Sequence, residues 1–78
     1  MPQKNKINLQ RLKQFDKANT EYVTALKLNP NDAKITEDYG DMFFQAGDAD
    51  AAVVQWKKAL QRGGDKIRLE RKISERSL

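Results

Sequence analysis

Three short breaks divide this chain: Asn29-Pro30-Asn31-Asp32, Gly47-Asp48 and Gly63-Gly64-Asp65. Between them apolar residues recur every three or four positions, the spacing of amphipathic helices. Residues 15–28 place Phe15, Ala18, Tyr22, Ala25, Leu26 and Leu28 in this way, and residues 33–46 place Ile35, Tyr39, Met42, Phe43 and Ala46 on one face. A further stripe holds Ala49, Ala52, Val53, Trp56, Ala59 and Leu60, and a last, narrower one holds Leu69 and Ile73. The breaks have the chemistry of helix ends: Pro30 cannot continue a helix, Gly47 suits a left-handed end, and Asn31 or Asp32, Asp48 and Asp65 suit N-caps. A first segment with Ile7, Leu9 and Leu12 lacks a strong cap but reads as helical, so the chain is expected to be all-α with about five helices. Such short connections force antiparallel neighbours.

With 78 residues the chain forms one small domain. It contains no Cys and no His, which removes disulfides, thiol nucleophiles, imidazole bases and nearly all structural zinc sites. No apolar run approaches membrane-spanning length, and MPQKNKINLQ lacks the apolar stretch of a secretory leader, so the expected location is cytoplasmic. The net charge of +4 is unevenly placed. Lys4, Lys6, Arg11 and Lys13 make the N-terminus basic, residues 15–65 are acidic by three charges, and residues 66–78 are basic by three.

Gly40 stands in the middle of an otherwise helical stretch, between Tyr39 and Met42-Phe43-Phe44. An interior helix glycine costs about 1 kcal/mol relative to alanine. Sliding the chain against itself by 34 residues shows what offsets that cost: Ala18 meets Ala52, Tyr22 meets Trp56, and Ala25-Leu26 meets Ala59-Leu60. Small residues let helix backbones approach, and the aromatic fills the space beside them. Gly40 is therefore expected where the next helix crosses, near Ala52 and Trp56.

This pattern resembles the tetratricopeptide repeat, a helix–turn–helix unit of the same length. Tyr39-Gly40 stands at the family's Leu-Gly pair, Phe43-Phe44 at its paired aromatics, Gly47-Asp48 at its turn, and Ala52, Trp56 and Ala59 at its small, aromatic and small positions. Ala18, Tyr22, Ala25 and Asn29-Pro30 match the second helix and closing proline of a preceding unit. The resemblance implies a short α-solenoid with repeat one at about 1–32, repeat two at about 33–66 and a capping helix at about 67–76. Asn5-Lys6 and Lys13-Gln14 depart from the pattern at the Leu-Gly pair and turn of the first unit, and Gly64 replaces the closing proline of the second.

The family has no chemistry of its own and binds proteins, so the resemblance implies a peptide-binding or scaffolding module without catalysis or cofactor. Its concave face would present Arg11, Glu37, Asp38, Asp41, Phe44, Arg68 and Lys72 to a peptide of mixed charge. The same charges could instead be solvated or paired with one another, Asp38 or Asp41 with Arg68 for example. A carboxylate clamp like that of some relatives is not expected, because Gln3, Ile7 and Asp38 occupy positions where it needs Lys and Asn. Glu37 and Asp41, four residues apart, are a weak acid-pair or metal signal. The basic termini leave nucleic-acid association as an alternative, though no aromatics interleave with the bases. The weak first segment leaves the N-terminal end as a surface for homodimer formation.

Overall fold

A computed structural model describes the backbone of residues 2–78 and the side chains from Gln14 onward. Four helices make up the described chain: α1 (Pro2–Leu28), α2 (Ala33–Gln45), α3 (Ala49–Gln61) and α4 (Lys66–Glu75). The fold is all-α, and the expectation of five helices is corrected to four because the first two expected segments form one continuous helix. The physical reason is local. Neither Lys13 nor Gln14 breaks a helix, and no glycine or proline lies between residues 3 and 29. The turn expected there has no residue to make it.

The other boundaries follow from capping. The carboxylates of Asp32, Asp48 and Asp65 accept from the backbone N–H groups of Ile35, Ala51 and Arg68 at 2.9, 3.0 and 2.9 Å. Each satisfies one of the donors a helix start leaves free. At the α2–α3 turn Gly47 has φ +91°, a left-handed conformation that a side chain would strain. Its N–H and that of Asp48 donate to the carbonyls of Phe44 and Phe43, closing the end of α2.

The core lies where α2, α3 and α4 meet. Ala52, Trp56, Ala59 and Leu69 are fully buried, with Phe43, Phe44, Val53, Leu60 and Ile73 packed around them. Gly40 occupies the place the sequence assigned it. A Cβ there would lie 2.7 Å from Cδ1 and Nε1 of Trp56 and 3.1 Å from the carbonyl oxygen of Ala52. The absent side chain is the space the indole fills. A second tie joins the same pair of helices. Arg62, at the end of α3, donates to the buried Thr36 hydroxyl at 2.6 Å, and that hydroxyl donates to the Asp32 carbonyl at 2.8 Å.

Helix α1 joins through an aromatic layer rather than a buried core. Phe15 meets Phe43 at a centroid distance of 5.6 Å, and Tyr22 stacks on Tyr39 at 5.5 Å. The Tyr39 hydroxyl donates to the Asn19 side chain. All four rings remain half-buried. Tyr22, which the 34-residue repeat aligns with Trp56, is only partly covered where Trp56 is fully buried, because the segment preceding it continues as one helix instead of folding back.

Replacing Trp56 by Ala should cost about 3–5 kcal/mol, read as a lower urea midpoint. Gly40→Leu should lower the melting temperature as well, whereas Gly40→Leu with an unchanged melting temperature would mean that the indole does not pack there.

Candidate functional site

The acidic residues of α2 and the basic residues of α4 meet across a short gap. α2 and α4 both run antiparallel to α3 and so run in the same direction. Glu37 and Asp41 are one turn apart on α2, and Arg68 and Lys72 are one turn apart on α4. Equal spacing on two helices of like direction brings the charges into register.

Glu37 receives both ends of the Arg68 fork: Nε donates to Oε2 and Nη2 to Oε1, each at 2.7 Å. Lys72 Nζ donates to Glu37 Oε2 at 2.7 Å and to Asp41 at 3.0 Å. Asp41 also accepts the Trp56 indole N–H at 2.9 Å. The Lys72 ammonium lies 5.9 Å from the centre of the Trp56 ring, within cation–π range. Phe44 adds an aromatic contact to the indole at 6.1 Å. One connected set thus ties α2, α3 and α4 together.

Burial gives this network its weight. Glu37 is 3 % exposed and Lys72 is 7 % exposed. A buried charge is tolerable only when paired and hydrogen-bonded, and among the described residues no buried side-chain polar atom lacks a partner. The Arg68 guanidinium and then Lys72 hold the Glu37 carboxyl down to about 2, from an ordinary value of 4.5, against the opposing effect of burial. The same bidentate contact raises Arg68.

The expected site residues therefore divide. Glu37, Asp41, Arg68, Lys72 and Phe44 are brought together, largely as internal packing between helices. The Arg68 side chain remains 44 % exposed. Of the two pairings offered for Arg68 as examples, neither forms; Glu37 takes it, and Asp41 goes to Lys72. Asp38 stands apart, paired with Lys34 on its own helix at 2.8 Å, with both side chains open to solvent. Such surface pairs contribute about 0.3–0.5 kcal/mol. The Arg11 side chain lies outside the described residues. Trp56 is a member of the network that the sequence placed only against Gly40; an indole N–H buried beside a helix that carries Glu37, Asp38 and Asp41 was the available signal.

Among the described residues, no helix is long and apolar enough to cross a membrane. No protein-family model matches the sequence, and no curated protein matches it.

The depressed Glu37 value fixes the sign of a pH effect. Its contribution to stability is fully present above pH 4.5 and is lost as the pH falls toward about 2. Glu37→Gln should flatten this acid limb. At neutral pH it should destabilise by about 3 kcal/mol, because the buried Lys72 loses one of its two carboxylates and Arg68 its bidentate partner. Chemical denaturation at a series of pH values checks both.

Proposed function

We propose that this chain is a protein–protein interaction module built from a tetratricopeptide-like helical hairpin and a capping helix, acting as a scaffold or peptide-binding surface without catalysis. The observation that carries the reading is the close approach of Trp56 to Gly40. It joins α2 to α3 as the small-and-aromatic pattern of that family requires, with Gly47 and Asp48 at the turn. The packing of α4 on α3, with its Arg68 and Lys72 reaching across to Glu37 and Asp41 of α2, supports a capping role. The first unit is incomplete in this reading, since α1 supplies one long helix in place of a helical pair.

On the proposed binding face, the roles of the charged residues differ. Glu37, Asp41 and Lys72 hold α2 against α4 and position the surface. Asp38, the outer face of Arg68 and the half-buried Phe44 are the groups a peptide would meet. Opposite charges beside an aromatic ring suit an extended or helical segment of mixed charge. The nucleic-acid alternative is weaker on this geometry, because Arg68, Lys72 and Arg76 are engaged by Glu37, Asp41 and Asp50.

Titrating labelled chain with a library of mixed-charge peptides, followed by amide NMR, tests the proposal. Shifts should cluster at Lys34, Asp38, Phe44 and Arg68, and Asp38→Lys should weaken binding roughly tenfold while leaving the melting temperature within a few degrees. Shifts confined to the basic termini, at Lys4, Lys6, Lys13, Lys66 and Arg71, with a steep salt dependence and binding to oligonucleotides, would instead favour the nucleic-acid reading.

A further inference from the structure

Helix α3 is held on two flanks. α2 covers one, where Gly40 lies against Ala52 and Trp56 and the Thr36 hydroxyl accepts from Arg62. α4 covers the other, with Ile73 packed against the same core. The C-terminal part of α1 carries the same pattern 34 positions earlier: Ala18 for Ala52, Tyr22 for Trp56 and Ala25 for Ala59. α2 lies on α1 as α4 lies on α3, since Tyr39, which stacks on Tyr22, corresponds to Ile73.

The other flank of α1 has no counterpart to α2. The backbone runs as one helix from Pro2 to Leu28, so the residues before Phe15 do not fold back to play that part. Ala18, Tyr22 and Ala25 are only partly covered, whereas Ala52, Trp56 and Ala59 are fully buried. Leu28 corresponds to Arg62, the residue that reaches α2, and is 77 % exposed.

We propose that this flank of α1 docks one amphipathic helix of a partner protein, seated against Ala18, Tyr22, Ala25 and Leu28 as α2 is seated against α3. The internal repeat specifies the incoming helix. Two alanines beside an aromatic ring let a helix come close when it carries a small residue at the crossing, as Gly40 does opposite Trp56. Leu28 in place of Arg62 favours an apolar residue where α2 has Thr36. Glu21, exposed on the rim where α3 has Gln55, favours a cation on that side of the partner. The surface continues the α1–α2 interface, because Tyr22 belongs to both. It does not use Asp38, Phe44 or Arg68, so this proposal and the peptide-binding reading can fail separately.

A hydrocarbon-stapled helix with the sequence of residues 31–47 and the change Thr36→Leu is the probe, and the same peptide with Gly40→Leu is its control. Titrated into labelled full chain, the probe should shift the amides of Ala18, Tyr22, Ala25 and Leu28, and the control should bind roughly tenfold more weakly. Ala18→Arg in the chain should weaken binding of the probe to a similar degree. Leu28→Glu, at a position already open to solvent, should do the same with the melting temperature unchanged, and it decides the matter if Ala18→Arg unfolds. Absence of saturable shifts, equal binding of the two peptides, or shifts centred on Ala52 and Trp56, where the probe would be displacing α2, overturn the proposal. Light scattering of the chain alone separates the remaining occupant. A dimer that Leu28→Glu dissociates would assign the flank to a second copy and overturn the partner helix.

Discussion

The Trp56 ring lies against a helix that has no side chain at Gly40, and most of the fold is arranged around that contact. A Cβ at this position would overlap the indole at 2.7 Å. The glycine gives up about 1 kcal/mol of helix propensity. In return, the largest side chain in the protein is fully buried, an effect several times larger. The indole N–H then needs an acceptor, and Asp41 on the glycine-bearing helix supplies it. Asp41 in turn needs a cation, and Lys72 of α4 supplies that. Packing and charge pairing are thus one chain of dependence running from α3 through α2 to α4.

The charged network sets a trade-off between stability and recognition. A surface whose carboxylates are already held by arginine and lysine offers a ligand less free charge than its composition suggests. Glu37 and Lys72 are nearly inaccessible, and binding through them would require breaking buried ion pairs. The groups left for recognition are fewer and more exposed, chiefly Asp38, Lys34 and the outer side of Arg68. A short helical chain can keep its helices in place in this way with four fully buried apolar side chains among the described residues.

The α2–α3–α4 half was legible in the sequence because local and long-range signals agree there. Gly47 and Asp48 mark the turn by backbone conformation and capping, and the repeat spacing independently puts Gly40 beside Trp56. The N-terminal half was misread because only the repeat correspondence argued for a turn at Lys13-Gln14, and no residue there enforces one. The charge pairing was half legible. The sequence allowed Arg68 to pair with Asp38 or Asp41, but the carboxylate it meets is Glu37, because the choice depends on how α4 is placed along α2, which spacing within one helix does not carry. The Arg62–Thr36–Asp32 chain joins residues 26 and four positions apart and left no periodic trace.

A double-mutant cycle between Gly40 and Trp56 tests the central contact most directly. Gly40→Ala should destabilise the wild-type protein, because its Cβ meets the indole. In a Trp56→Leu background, with the ring gone, the same change should be neutral or stabilising, since helix propensity then acts with little opposition. The account predicts a coupling of more than about 1 kcal/mol, in the range found for residues in contact. Strict additivity of the two substitutions would contradict it.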